Sequence, residues 1–228
     1  MQPLQNQTVT PTLVADQVYE VIERAILTGE LGAGAPLRVR DVAAMVGTSV
    51  MPVREAIRHL EEAGLVERIP HRGAVVKTFT ATELIDIYDV RKTLETDAAA
   101  KGTENVTKAG LRKMESTYKK LQKAVTDGDV VLALDLDEDL LRVVYGASRN
   151  PVLLRIIEQL WLQCRPYKVI GASEALAHED MSLWEPQGAL IEAVRAGNTE
   201  AAVAITAESL ANARKRLEKR LEETTEAE

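Results

Sequence analysis

Two arginines one helical turn apart, Arg54 and Arg58, are the residues whose types and spacing most clearly indicate a chemistry. A guanidinium presents several N–H donors in one plane, so it can hold a guanine edge or a phosphate through two hydrogen bonds. Arg40, Thr48 and Ser49 lie just upstream and can donate to backbone phosphates. Thr48 and Ser49 would do so at a helix N-terminus, where the helix dipole also favours an anion. These five residues together predict contact with DNA.

A short basic turn, Pro70-His71-Arg72-Gly73, follows the arginine pair along the chain. It separates two segments rich in strand-forming residues and therefore predicts the tip of a β-hairpin. His71 and Arg72, next to Gly73, could reach the minor groove or the phosphate backbone from this tip.

A less specific interpretation of the arginines remains open. Glu55, Glu61 and Glu62 lie within reach on the same helix, so the arginines could simply pair with them on a solvated face. Acidic partners of this kind are common on exposed helices and need no ligand.

The elements that must position these side chains follow from apolar spacing and from Gly and Pro breakers. Ser49 is the predicted N-cap of the helix that carries both arginines, and Gly64 is expected to end that helix. The predicted elements are helices over 13–28, 40–46 and 50–63, followed by strands over 65–69 and 74–77. This order predicts a winged helix-turn-helix over residues 13–77, preceded by a flexible arm over 1–12.

A second, wholly helical domain is predicted from residue 81 to residue 228, after a linker over 78–80. Thr80 and Glu83 have the spacing of a capping box, which indicates a helix start. The predicted helices are 81–101, 107–127, 129–148, 150–170, 178–197 and 199–223. The expected fold class is therefore mainly α, with a winged helix in front of a second, helical domain.

Charge and cysteine content narrow the function classes. The chain carries a net charge of -7, but residues 1–77 are nearly neutral, so any contact with DNA must depend on local placement of arginines. The single cysteine, Cys164, allows no internal disulfide and no cysteine metal site, which fits a reducing cytoplasm. We see no secretory signal and no apolar run long enough for a membrane, so a cytoplasmic protein without membrane contact is expected.

The helix with the two arginines carries a family resemblance. The run Val53-Arg54-Glu55-Ala56-Ile57-Arg58-His59-Leu60-Glu61-Glu62-Ala63-Gly64-Leu65-Val66, with Arg72-Gly73 after it, resembles the signature of GntR-type bacterial transcription regulators. The resemblance implies that Arg40, Arg54 and Arg58 contact operator DNA and that Gly73 lies at the wing tip. Val50-Met51 stands where the family more often has Arg-Thr, so the usual operator preference does not carry over.

The second domain resembles a FadR-type effector domain of the shorter VanR-type branch. The resemblance implies an antiparallel helical bundle that binds an effector and dimerises. The matching segments are Ile85–Glu95 and Ala147–Leu153. Many members bind a divalent metal through one aspartate and three histidines. The aspartate corresponds to Asp137, but the histidine positions hold Leu141, Gln187 and Ser209, which are poor ligands or none at all. The resemblance therefore predicts a pocket without the family metal and without another cofactor.

Such a pocket would have to hold its ligand through side chains. The resemblance assigns Arg91 to the carboxylate of a small organic acid, while an ion pair with Asp89, Glu95 or Asp137 is the alternative. The further expected effector-binding residues are Asp137, Arg142, Gln187, Ser209 and Asn212. Tyr145 and Trp184 are expected to form walls of the pocket, and His178 is expected to be an exposed loop residue. The acidic segment Asp135–Asp139 is interpreted as a solvated face.

These observations predict a regulator and not an enzyme. The expected partners are operator DNA with an inverted repeat, a small carboxylate effector and a second copy of the chain in a homodimer. The expected action is repression that the effector relieves. The alternatives are a helical metabolite-converting enzyme fused to a winged helix, and a winged helix that only mediates protein contacts.

Overall fold

The computed structural model describes residues 11–70, 72–178 and 180–226. The chain divides into two compact units, with the boundary between Thr78 and Phe79. Residues 1–10 of the predicted arm lie outside the described residues, whereas Pro11 and Thr12 already belong to the first helix. Proline is well tolerated in the first turn of a helix, because the N–H that it lacks would have no partner there.

The first unit is a three-helix arrangement closed by a small sheet, which confirms the predicted winged helix-turn-helix. Its elements are α1 (Pro11–Leu27), β1 (Pro36–Leu37), α2 (Val39–Val46), α3 (Val50–Glu62), β2 (Val66–Ile69) and β3 (Gly73–Val76). Strand β1 falls between the first two predicted helices, where the sequence analysis placed no strand. It pairs antiparallel with β3, so that the strand order in the sheet is β1-β3-β2.

The core of the first unit fixes the orientation of α3. Val53, Ala56, Ile57 and Leu60 recur at helical spacing and are almost completely buried. Burying this face leaves the opposite face of α3 in solvent. Each large aliphatic side chain buried in this way contributes roughly 1.5–3 kcal/mol, so α3 cannot rotate without losing a large part of its stabilisation.

The second unit is all-helical in its described part, as predicted. Its elements are α4 (Ala81–Thr103), α5 (Lys108–Thr126), α6 (Val130–Gly146), α7 (Pro151–Ala177), α8 (Pro186–Arg195) and α9 (Thr199–Glu226). The predicted capping box is present at the start of α4, where Thr80 Oγ1 accepts from the Glu83 N–H and Glu83 accepts from the Thr80 N–H.

Two predicted boundaries in this unit are wrong. Helix α7 does not end near residue 170 but continues through Gly171 to Ala177, and α8 begins only at Pro186. A glycine inside a helix costs about 1 kcal/mol. The burial of Ala172 and Ala175 in the next turn outweighs that cost.

The core of the second unit contains a Trp161–Tyr145 ring pair, Met114, Leu140 and Ile157, all essentially without solvent contact. Helices α4 and α6 approach each other closely at Gly102. An added Cβ there would lie 1.9 Å from the Val144 carbonyl oxygen, so the close approach requires glycine at this position.

The only cysteine of the chain, Cys164, lies in this interior, and burial raises the pKa of its thiol. No helix in the described part of the chain is apolar over a stretch long enough to cross a membrane.

Candidate DNA-reading surface and ligand cavity

The solvent face of α3 carries the two predicted reading arginines. Arg54 and Arg58 are exposed one turn apart, opposite the buried side chains of Val53 and Ile57. Met51 is exposed on the same face, one turn before Arg54 and Glu55. A helix with an apolar back and protruding arginines has the form that enters a major groove.

The two arginines differ in their intramolecular partners. Arg58 pairs with Glu55 and Glu62, whereas Arg54 has no ion pair among the described residues. The predicted alternative of a solvated ion-paired face therefore applies to Arg58 alone. Exposed pairs of this kind contribute only about 0–1 kcal/mol, so a phosphate or a guanine could displace them at little cost.

The N-terminus of α3 is preceded by a tight turn. Gly47 ends α2 in the left-handed region at φ 68°, and the Thr48 N–H donates to the Ala43 carbonyl at 3.0 Å. Ser49 occupies the N-cap position in extended conformation, as predicted, but its hydroxyl makes no capping hydrogen bond. The hydroxyl of this exposed serine is therefore free to meet a phosphate at the positive end of the helix dipole.

The remaining predicted DNA contacts lie on α2 and at the tip of the hairpin. Arg40 is exposed in the first turn of α2. Arg72 is exposed at the hairpin tip, where its N–H donates to the Ile69 carbonyl at 3.0 Å, and Gly73 follows with φ 78°. His71 lies outside the described residues.

The second unit contains a cavity of about 620 Å³. Asp137, Leu141, Gln187 and Ser209, the four positions that the sequence analysis matched to the family metal ligands, all border it. Tyr145 and Trp184 also border it, as predicted, together with the apolar side chains of Leu134, Leu183, Leu190 and Ile205. A mostly apolar wall with a few convergent polar groups is typical of a small-molecule site.

Arg91 borders the cavity and also forms an ion pair with Glu95, which is one of the alternative partners that the sequence analysis gave. Its Nε donates to Glu95 Oε1 at 2.7 Å, while Trp161 Nε1 and the Tyr145 hydroxyl donate to the same carboxylate at 2.8 and 3.2 Å. Arg91 Nη1 is buried without a partner among the described residues. The ion pair therefore uses one edge of the guanidinium and leaves a buried donor for a ligand.

Asp137 lies between the side-chain amide of Gln187 and the ammonium of Lys168. Gln187 Nε2 donates to Asp137 Oδ1 at 2.5 Å, and Lys168 Nζ lies 3.8 Å from Asp137 Oδ2. Burial raises the pKa of Asp137 above its usual value, although Lys168 and Gln187 both act to lower it. Gln187 Oε1 is a buried acceptor without a partner in the described structure, so a ligand donor could bind there.

The acidic segment of α6 is only in part the solvated face that the sequence suggested, since Asp135 and Asp139 are exposed but the two acids between them are not. Asp137 and Glu138 are buried, and Glu138 lies 3.1 Å from Arg165 Nη1 and 3.2 Å from Lys168 Nζ. Burial alone would raise the pKa of Glu138, but Lys168 and Arg165 hold it below its usual value. The basic residues that make this burial possible are on α7, far away in sequence.

The structure places two of the predicted effector-binding residues outside the cavity wall. Arg142 does not border the cavity and instead binds Glu158 at 2.8 Å and Asp139 at 3.0 Å. Asn212 is exposed and is also absent from the cavity wall. Both residues differ in helical phase from a neighbour that borders the cavity. Arg142 lies about 100° around α6 from Leu141, and Asn212 lies about 100° around α9 from Ala213.

Besides Arg216 and Lys219, Lys168 is a basic cavity residue that the sequence analysis missed. It follows the helical spacing of Gly171, Ala172 and Ala175, which also border the cavity. Recognising α7 as continuous beyond residue 170 would have revealed this face. His178 is exposed at the end of α7, as predicted, and also borders the cavity.

The cavity does not offer a donor set for the family metal. Leu141 has no donor atom, and an amide and a hydroxyl are weak ligands for zinc or nickel. Within residues 11–70, 72–178 and 180–226, no group of three or more His, Cys, Asp or Glu side chains could hold a metal ion.

The comparisons with known families match both units. Residues 14–76 match the bacterial regulatory proteins of the gntR family, and residues 86–212 match the FCD domain.

Individual relatives agree with these matches. McbR, an HTH-type transcriptional regulator of Escherichia coli strain K12, is 29% identical over 167 residues, which cover 71% of this chain and 76% of McbR. A protein of Paenarthrobacter nicotinovorans named "Probable D-xylose utilization operon transcriptional repressor" is 28% identical over 197 residues, which cover 86% of this chain and 85% of the relative.

Solved structures show the same likeness. E. coli McbR/YncC matches with a TM-score of 0.79 and 26% identity, over 91% of this chain and 98% of that chain. A GntR regulator from Rhodococcus sp. RHA1, at 22% identity, matches in fold with a TM-score of 0.78, over 90% of this chain and 98% of that chain. The chain therefore belongs to the gntR-family bacterial regulatory proteins with an FCD domain, which are DNA-binding transcriptional regulators.

Proposed function

We propose that this chain is a transcriptional repressor that binds an inverted-repeat operator as a homodimer and leaves it when a small organic acid enters the helical cavity. Both reading helices of a dimer would meet half-sites about 34–36 Å apart, one turn of DNA. The name of the Paenarthrobacter relative includes a repressor function, which supports repression as the sign of regulation.

The observation that carries the DNA-binding part is the exposed face of α3. Its buried residues fix the helix orientation, and Arg54 protrudes from the other side without an intramolecular partner in the described structure. The Ser49 hydroxyl is likewise unused by the helix that it caps. The long Arg54 side chain fits a base edge, and the Ser49 hydroxyl at the start of the same helix fits a phosphate.

The observation that carries the effector part is the buried Nη1 of Arg91, a cavity residue, which has no hydrogen-bond partner among the described residues. A carboxylate would give Arg91 Nη1 its missing partner, and the apolar wall would cover the rest of a small acid. The acid need only bind one geometry of the dimer better than the other to shift the equilibrium away from DNA.

The DNA-binding part is tested by a gel-shift series across the region upstream of the chain's own gene. A retarded band is expected at low salt, and Arg54→Ala should weaken it by about 1–3 kcal/mol, that is, roughly 5- to 150-fold. Arg112→Ala removes the same charge from the exposed face of α5 and should leave binding nearly unchanged. No retarded band at low salt, or equal losses in the two variants, would contradict the proposal.

The effector part is tested by thermal unfolding in the presence of C4–C8 mono- and dicarboxylates. A ligand at 100 times its Kd should stabilise the folded protein by about 2.7 kcal/mol and raise Tm. The same acid should dissociate the gel-shift complex. Stabilisation without dissociation would show a bound acid that is not the effector, and no stabilisation across the series would contradict an acid ligand.

A further inference from the structure

Lys168 and Asp137 form a cation–carboxylate pair at the place where the family relationship would put a metal. Asp137 is the one retained ligand position, and Lys168 Nζ lies 3.8 Å from its Oδ2. The Lys168 side chain is only 14% exposed and borders the same cavity as the other three ligand positions. The ammonium is therefore enclosed with the carboxylate.

The Lys168 ammonium makes one hydrogen bond among the described residues. Its Nζ donates to Glu138 Oε1 at 3.2 Å, and the distance to Asp137 is too long for a hydrogen bond. An ammonium has three N–H donors, so two remain for other acceptors. Arg165, at 3.1 Å from the same Glu138 oxygen, already supplies a positive charge to that carboxylate.

The other three positions have lost the donors that a metal needs, which agrees with an ammonium in its place. Leu141 offers no donor, and the Gln187 amide N–H is directed at Asp137 Oδ1. A divalent cation on Asp137 would lie within a few ångströms of the Lys168 ammonium, and two positive charges at that distance repel each other strongly in a buried site.

We infer that Lys168 is a built-in replacement for the divalent cation of this cavity. It supplies from α7 the positive charge that faces a ligand anion, and it excludes zinc and nickel from Asp137. The inference builds on the proposed acid-binding function by naming a further cation that the acid meets besides Arg91. Acid binding then does not require a divalent metal.

The test restores the missing donors and asks whether Lys168 still blocks the metal. A three-histidine variant carries Leu141→His, Gln187→His and Ser209→His. Its affinity for Zn²⁺ is measured by titration calorimetry after chelator treatment, with and without the additional change Lys168→Met. Visible absorption of bound Co²⁺ reports whether the ion is coordinated by the introduced residues.

The variant with Lys168→Met should bind Zn²⁺ more tightly than the three-histidine variant by about tenfold or more. Lys119→Met in the same background removes an equal charge from the exposed face of α5 and should leave the Zn²⁺ affinity unchanged. Lys168→Gln is a second uncharged variant, whose amide can still donate to Glu138, and thermal unfolding shows that each variant is folded.

Two results would overturn the inference. Equal Zn²⁺ affinity with and without the ammonium would show that Lys168 does not compete with a metal. An absence of Zn²⁺ binding in every three-histidine variant would show that the four positions do not converge on one ion. These titrations contain neither DNA nor acid, so a failure of the proposed function would leave their outcome unaffected.

Discussion

The Arg91–Glu95 ion pair on α4 is almost completely enclosed, with side chains that are 5% and 2% exposed. Glu95 also accepts hydrogen bonds from Trp161 and Tyr145, so one carboxylate joins α4 to α6 and α7. Removing one member of a buried pair leaves the other charge in a medium of low polarity, which costs more than the pair itself contributes.

Glu95→Gln is therefore expected to lower the free energy of unfolding by about 3–5 kcal/mol, because it leaves Arg91 charged and unpaired. Urea denaturation followed by circular dichroism gives the value. The same helix contains a matched control, since Lys101 and Asp97 form an exposed pair at the same spacing. Asp97→Asn should cost less than about 1 kcal/mol. Similar losses in both variants would contradict the assigned role of Glu95.

At the scale of elements, the crossing of α4 and α6 depends on the absence of a side chain at Gly102. The added methyl of Gly102→Ala would collide with the Val144 backbone, so the helices must separate. We expect a loss of about 1–3 kcal/mol or more in urea denaturation. Gly171→Ala in α7 meets open space and should instead stabilise the protein by about 0.5–1 kcal/mol. A neutral Gly102→Ala would contradict the close approach.

The starts of α4 and α3 provide a second comparison between elements. Thr80 caps α4 through its side chain, whereas Ser49 caps α3 without a side-chain hydrogen bond. Thr80→Ala should therefore cost about 1 kcal/mol of unfolding free energy, and Ser49→Ala should cost less. The DNA affinity should show the reverse order, with the larger loss for Ser49→Ala. Equal effects of both variants on both measurements would contradict this division of roles.

How far these elements were predictable depended on the strength of local signals. The capping box at Thr80 and Glu83 and the breakers around α2, α3 and the hairpin gave their boundaries closely. Strand β1 consists of two residues whose pairing with β3 leaves no periodic signal. The predicted end of α7 at residue 170 is wrong, because the burial of the turn that follows is a tertiary effect that the sequence does not show.

The cavity was predictable only where the family resemblance supplied positions. Asp137, Gln187 and Ser209 do border it, but Arg142 and Asn212 do not, because small errors of helical phase rotate a side chain off the wall. Lys168 carries no motif of its own. Its importance comes from the buried acids of α6, which only the packing of α6 and α7 brings near it.

At the scale of the whole molecule, the net charge of -7 opposes any general attraction to DNA. Binding must then come from a few local contacts, and its dependence on salt should be correspondingly shallow. Each phosphate contact contributes about 0.9 to the slope of log K against log salt concentration.

Arg54→Ala separates two kinds of contact in such a salt series. If Arg54 contacts a phosphate, the slope should fall by about 0.9 for each copy that binds. If Arg54 contacts a base edge, the slope should stay constant and discrimination at one operator position should relax. Fluorescence anisotropy with the operator and a scrambled duplex measures both. An unchanged affinity for both duplexes would show that Arg54 does not contact DNA.

The buried position of Cys164 also decides how the molecule can be studied. A thiol that is enclosed and has a raised pKa reacts slowly with maleimides and iodoacetamides in the folded protein. Since it is the only cysteine of the sequence, a cysteine introduced on the exposed face of α3 would be the single reactive thiol. A dye or spin label could thus be attached at one chosen point without first replacing Cys164.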